Sequence, residues 1–149
     1  MDIKISETRS RNMSAIRSKN TKPEVYMRKQ LFARGYRYGL NSKSVPGHPD
    51  IYMKKYNTVI FVNGCFWHRH EGCKYAYMPK TNIEFWKRKF DTNIKRDKNV
   101  RKELERLRIK QIVIWECTIK NMKKYKEFKE KILKEIESFL NDDRYFLEM

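Results

Sequence analysis

At 149 residues the chain is long enough for one domain with a sizeable core and too short for several. It carries 35 Lys and Arg against 18 Asp and Glu, a formal net charge of +17, whose sign and size make nucleic acid the leading partner and an anionic membrane surface the second. The longest apolar runs, Val59 to Val62 and Ile112 to Trp115, are too short to cross a bilayer, and the charged N-terminus lacks a signal-peptide core. A cytoplasmic protein is expected, and in that reducing compartment an odd set of cysteines accompanied by histidine points to metal rather than to disulfides.

Residues 1–20 hold Arg9, Arg11, Arg17 and Lys19 with few apolar side chains, the composition of a basic arm that orders on contact with a partner. Residues 21–149 are expected to form one domain. Thr21-Lys22-Pro23-Glu24 reads as a capping box with proline in the first turn, and Val25, Met27, Leu31 and Phe32 supply an apolar stripe, so a helix is predicted from about 22 to 34, stopped by Gly35. The runs Tyr36 to Leu40, Ile51 to Met53, Thr58 to Val62 and Gln111 to Trp115 are β-branched or aromatic and bounded by turn residues, and are predicted strands. A second capping box, Thr81-Asn82-Ile83-Glu84, is expected to open a long basic helix carrying Phe85, Phe90, Ile94, Leu104 and Leu107. From Ile119, the spacing of Met122, Tyr125, Phe128, Ile132, Ile136 and Phe139 predicts a final amphipathic helix. The order is αβββαβα, an α/β fold with a central mixed sheet flanked by helices.

The segment after the third predicted strand carries most of the chemistry. Cys65 and Cys73 flank His70 with four and two intervening residues, a spacing that wraps one tetrahedral ion, and Cys117 after the last strand completes a Cys₃His set for Zn²⁺. Cysteines also pack as small buried hydrophobes, but two of them in a loop with Gly, His and Arg are poor core candidates. Four protein ligands leave no open position, so such a zinc staples the loop and takes no part in catalysis. Strand-like alternation points His68 away from the cysteines, as a general base, a phosphate contact or a plain surface histidine. Asp50, entering a strand after Pro49, is either a turn aspartate or the holder of Mg²⁺ against a phosphate; Glu24 is either a capping-box residue or an outer ligand of that metal. Phe66, Trp67 and Trp86 lie beside basic residues and either close the core or stack on bases. His48 reads as a loop residue.

Several of these segments, taken together, resemble one family. Thr8 to Met13, Pro46-Gly47-His48-Pro49-Asp50, Val59 to His68, Glu84-Phe85-Trp86 and Val113-Ile114-Trp115-Glu116-Cys117 resemble, in order, the signature segments of the very short patch repair (Vsr-type) DNA mismatch endonucleases, a likeness covering residues 8 to about 120. It implies a restriction-endonuclease-like fold and a Mg²⁺-dependent hydrolase that nicks double-stranded DNA 5′ of the thymine in a T:G mismatch left by deamination of 5-methylcytosine. It further implies roles for individual residues. Asp50 and the main-chain carbonyl of Val62 match the Mg²⁺ ligands, His68 the catalytic histidine and Glu24 the outer-shell carboxylate. Cys65, His70, Cys73 and Cys117 match the zinc ligands, Phe66, Trp67 and Trp86 the aromatic wedge, and Arg9 and Arg11 fall in the DNA-binding arm. Two departures stand out: Val62-Asn63 where well-known members have Thr-His, which replaces an imidazole at a catalytic position by Asn63, and one extra residue between His70 and Cys73.

The resemblance also implies a monomer with no membrane association, in the bacterial cytoplasm at the nucleoid, alongside mismatch-repair proteins. Two rival readings of the same residues are a zinc-stapled DNA-binding module without catalysis, and a dimeric restriction-type nuclease that cuts both strands of paired DNA.

Overall fold

The computed structural model describes residues 20–149. The arm predicted over residues 1–20, with Arg9 and Arg11, therefore lies outside the described residues apart from Asn20. The first helix, α1 (Lys22–Ala33), starts and stops where its sequence dictates. The Thr21 hydroxyl accepts from the Glu24 N–H at 3.5 Å, and Glu24 reaches back to the Asn20 N–H at 3.2 Å, one residue beyond the usual capping-box partner. At its other end Tyr36 N–H returns to the Leu31 carbonyl and Gly35 N–H to Phe32, a Schellman closure that needs the positive φ of 92° that Gly35 supplies.

Five strands follow in a sheet ordered as in the sequence: β1 (Gly39–Leu40), β2 (Ile51–Met53), β3 (Thr58–Asn63), β4 (Lys110–Trp115) and β5 (Phe146–Glu148). The β1–β2 and β2–β3 pairs are antiparallel, while β3–β4 and β4–β5 are parallel. Parallel pairing of β3 with β4 requires a crossover, supplied by α2 (Ile83–Arg106). The predicted mixed sheet flanked by helices is what the chain forms.

Alternation along the strands divides the core into two layers. On one face Ile51, Met53, Ile60, Ile112 and Ile114 meet Met27 and Leu31 of α1, Ile119 and Met122 of α3 (Glu116–Lys124), and Ile132, Leu133, Ile136, Phe139 and Leu140 of α4 (Lys126–Asn141). On the other, Val59 packs with Val45 and Leu104, with Tyr52, Phe61 and Val100 around them, which seats α2. Each fully buried aliphatic side chain contributes about 1.5–3 kcal/mol. The half-exposed bridges from Arg34 to Glu130 and Glu137, which tie α1 to α4, contribute under about 1 kcal/mol each. The apolar layers carry the fold.

Four details differ from the sequence-based expectation. The first strand is confined to Gly39–Leu40, because Tyr36 packs edge-on against Tyr56 and the Tyr38 hydroxyl donates to the Arg28 carbonyl, tying the preceding residues to neighbours other than a strand. Asn82, with φ of 54° and no side-chain cap, precedes α2, so the second capping box does not form. The final helix is two, broken at the extended Tyr125 (φ −124°), which lets both pieces lay their apolar faces on the same core. Lastly, β5 was not expected at all; it adds a parallel edge, with Met149 N–H donating to Val113 and Trp115 N–H to Met149. Buried Lys110 caps the end of α4 by donating to the Phe139 and Asp142 carbonyls.

Candidate active site and metal centre

Asn63 and Trp115 are register partners at the ends of the parallel strands β3 and β4. Two residues beyond each lie Cys65 and Cys117, so the ladder itself brings the first and last candidate ligands together. The intervening turn folds back through His68 N–H to Gly64 and His70 N–H to Cys65. As a result the Cys65, His70, Cys73 and Cys117 ligand atoms all lie within 4.8 Å of one another. A zinc tetrahedron with Zn–S bonds of about 2.3 Å has edges of about 3.8 Å, so the set is already close to gathered. His70 is held by an 8° stack on Trp115 at 4.2 Å, and its Nδ1 sits 3.4 Å from the Cys117 sulfur.

The electrostatics of the cluster suit a cation. Burial, only partly offset by the Cys117 N–H and reinforced by the neighbouring thiols, pushes the Cys65 thiol up to about 12. Cys73 goes the other way: burial opposes its ionisation, but the Tyr75 and Ala76 N–H groups and the Cys65 and Cys117 thiols hold it below the ordinary thiol range. Three sulfurs crowded in this way are ionised together only against a dication. The residues fit zinc as the sequence expects.

The second cluster lies at the same edge of the sheet. Asp50 immediately precedes β2, and its Oδ2 accepts from the Val62 N–H at 2.7 Å. The preceding loop is pressed onto α2 at Gly47, where an added Cβ would stand 2.6 Å from Val100 Cγ1 and φ is +83°. Only glycine fits there, and that close approach sets where Asp50 leaves the loop. Burial raises the Asp50 carboxyl to about 7; the Val62 N–H and His68 oppose the rise, and the adjacent Glu24 carboxyl, which hydrogen-bonds to it, adds to it. Glu24 is itself buried and bonded to Arg28 at 3.1 Å. With a second carboxyl beside it in a buried niche, Asp50 keeps its proton to about 7 unless a cation replaces it. Oxygen donors of this kind fit Mg²⁺.

His68 is near enough to oppose the rise of the Asp50 carboxyl. Its Nδ1 lies 2.7 Å from Asp97 Oδ2 on α2. A carboxylate on Nδ1 fixes the proton there and leaves Nε2 as the basic nitrogen. His68 is separate from the Cys₃His set as expected, but through a turn that directs it to α2 rather than through strand alternation. Asp97 and Asn93 were not singled out from sequence; Asn93 Nδ2 donates to the Trp67 carbonyl at 3.0 Å and fixes the residue before His68. The signal was present in the 4,3,4,3,4 spacing of Trp86, Phe90, Asn93, Asp97, Val100 and Leu104. Two polar residues occupy the stripe of α2 that otherwise packs on the molecule.

The three aromatics named from sequence do come together. Phe66 meets Trp67, Trp86 and Phe90 at centroid distances of 5.3, 5.6 and 5.2 Å, and Trp67 lies 5.9 Å from Trp86. Trp86 is buried in this cluster, whereas Phe66 and Trp67 are partly exposed. Asn63 is partly buried at the end of β3, and its side chain makes no hydrogen bond among the described residues.

A carboxylate pair, a histidine oriented by a third carboxylate and a closed cysteine–histidine cluster thus share one sheet edge. Residues 1–74 match the family model for the DNA mismatch endonuclease Vsr. Over 135 residues the chain is 44% identical to the type II nicking enzyme V.NmeAIP of Neisseria meningitidis, covering 91% of this chain and 96% of that one. It is 35% identical over 123 residues to the DNA mismatch endonuclease Vsr of Escherichia coli K12 (83% and 78% covered) and 38% identical over 116 residues to the type II nicking enzyme V.XorIIP of Xanthomonas oryzae (78% and 85%). The chain belongs to the Vsr family of DNA mismatch endonucleases. Its enzyme class is therefore DNA endonuclease, and its mixed sheet between helices is the family's restriction-endonuclease-like fold. Among the described residues no helix is long and apolar enough to cross a membrane.

Proposed function

We propose that this protein is a Mg²⁺-dependent nicking endonuclease that cuts one strand 5′ of the thymine in a T:G mismatch. The observation that carries the reading is the buried Asp50–Glu24 pair within electrostatic reach of a histidine whose Nδ1 is occupied by Asp97. Asp50 and the Val62 carbonyl would hold Mg²⁺, with Glu24 bonding its water. When bound, that ion supplies charge neutralisation and Lewis-acid activation at the scissile phosphate. His68 accepts the proton of the attacking water at Nε2 while Asp97 stabilises the imidazolium that forms, acting through His68 rather than on the phosphate. Asn63 lies at the strand end beside the site, where it offers an amide in place of an imidazole.

The zinc held by Cys65, His70, Cys73 and Cys117 would fix the turn that carries both Phe66-Trp67 and His68. That arrangement couples the wedge to the active site through two adjacent residues. Phe66 and Trp67, with Trp86 behind them, would enter the stack beside the mismatch; unstacking costs a few kcal/mol per step and is cheaper at a weakly paired T:G than in paired DNA. Arg9 and Arg11 of the arm and the +17 charge supply salt-sensitive phosphate affinity without choosing a sequence. Residues 21–149 would act as one domain and as a monomer, in the cytoplasm at the nucleoid, with mismatch-repair proteins as further partners.

A nicking assay on T:G, paired T:A and paired C:G duplexes of identical context tests this. Cleavage of one strand of the T:G duplex alone is expected. Equal cleavage of all three refutes mismatch selection, and no cleavage with Mg²⁺ leaves the DNA-binding module.

A further inference from the structure

The aromatic cluster has one member that the wedge does not include. Tyr77 contacts the Phe66 ring at 5.1 Å, yet 64% of it is exposed. Its carbonyl, by contrast, is one of three gripped by a single arginine. Arg69 donates to the Phe66 carbonyl at 3.2 Å, to Tyr77 at 3.0 Å and to Ala76 at 2.8 Å, with its guanidinium stacked 3.9 Å over Phe90.

This arginine is spent on the protein itself. Its donors are directed to main-chain carbonyls, and its backbone sits at φ of 57°, a conformation arginine adopts at a cost. A surface arginine of a DNA-binding protein would be expected to reach for phosphate. Here the charge ties the 76–77 segment to the Phe66-Trp67 turn.

A ring that merely covers Phe66 would be buried by doing so. A ring left open to solvent on a backbone anchored by charge-assisted hydrogen bonds is a surface prepared for something flat. The neighbours indicate what. Met78 (44% exposed) extends the apolar face, Lys74 and Lys80 flank the segment as exposed cations, and the whole adjoins partly exposed Phe66 and Trp67. Apolar flatness bordered by positive charge matches bases next to phosphates.

We propose that Tyr77 is a further stacking residue for the DNA bases unstacked beside the mismatch, and that Arg69 is the residue that positions it. The inference rests on the wedge reading of Phe66 and Trp67 and adds a stacking surface on the 76–77 segment.

The test uses full-length, zinc-loaded protein with Mg²⁺ omitted and a T:G duplex bearing 2-aminopurine next to the mismatch. Its fluorescence reports unstacking. Tyr77→Ala is expected to weaken mismatch binding about tenfold and reduce the fluorescence rise, while paired-duplex affinity and the salt dependence stay unchanged. Tyr77→Phe, which keeps the ring, restores both. Arg69→Lys keeps the charge and loses the three-carbonyl grip, and should reproduce the Tyr77→Ala defect with zinc content and circular dichroism unaltered. Native-like mismatch binding and fluorescence in Tyr77→Ala overturns the proposal, as does equal weakening on paired and mismatched DNA. A native-like, folded Arg69→Lys overturns the positioning role. These outcomes leave the mismatch reading intact; failure of the native protein to raise the fluorescence on T:G over paired DNA removes that reading first.

Discussion

The two candidate metal clusters lie at one sheet edge and are built on opposite plans. The Cys₃His set is complete: four donors from one turn and the first turn of α3 lie within 4.8 Å of one another, with His70 stacked on Trp115. The Asp50 site is deliberately short of ligands. Two carboxyls, one backbone strand end and an oriented histidine leave positions for water and phosphate, and the metal-free protein bears the cost as a buried carboxyl held near 7. A closed site returns its binding energy as folding stability; an open one stores electrostatic strain for use on substrate.

If that contrast holds, Asp50→Asn should have opposite effects on the two properties. Nicking should fall by about three orders of magnitude or more, since in the proposed site the carboxylate would be the charged inner ligand. Stability without Mg²⁺ should rise. The folded Asp50 keeps its proton to about 7 while the unfolded chain loses it near 4, so the penalty builds as pH climbs from about 4 to about 7 and is fully present above. Asparagine still accepts from the Val62 N–H and carries no such penalty. At pH 8 the variant should gain roughly 1–3 kcal/mol, seen as a melting temperature higher by several degrees, with the gain vanishing near pH 4. A variant that melts like the native protein at both pH values would show that the site is not strained.

Cys117→Ser should do the reverse. Losing one of four ligands unclips the turn from β4, with an expected loss of about 3 kcal/mol or more in denaturant unfolding and loss of zinc on dialysis. The fraction that remains folded should nick within about tenfold of native, since this cluster supplies no reacting group. Proportionately larger loss of nicking in folded protein would make the zinc part of the chemistry and collapse the distinction.

The histidine separates the open site further. His68→Ala should lower the nicking rate by about a hundredfold to ten-thousandfold, and Asp97→Ala by about tenfold to a hundredfold, because it acts through the imidazole. The decisive measurement is the double variant. Asp97→Ala in the His68→Ala background should cost nothing further, whereas additive losses would give Asp97 a contact of its own with DNA or metal.

What could be read in the sequence follows the same division. The Cys₃His cluster was legible because thiol and imidazole spacings are diagnostic and the strand ends deliver Cys65 and Cys117 to the same place. The strands β2, β3 and β4 were legible because they are apolar runs bounded by turns. Asp97 could be placed on the packed stripe of α2 but not given a role, because beside Lys95, Arg96 and Lys98 an acid reads as charge balance, and its partner is 29 residues away. The break at Tyr125 carries no proline or glycine; the need to fold two apolar faces onto one core makes it, and that need is a tertiary fact. β5 is three residues long and pairs only because β4 offers an unfilled edge.

The smallest expected effect concerns Asn63, the position where this chain departs from the Thr-His of better-known members. Asn63 closes β3 opposite Trp115 and its side chain makes no hydrogen bond among the described residues, so Asn63→His should fold normally and nick within about threefold of native, since no backbone ladder bond depends on the side chain. The added imidazole would still titrate near 6.5 in a site that already holds His68, and this should add a second limb to the pH–rate profile below neutrality. An unchanged profile would place the side chain away from the phosphate. A large loss of rate would show that the strand end is read in the wrong register, and with it the assignment of the Val62 carbonyl to the metal.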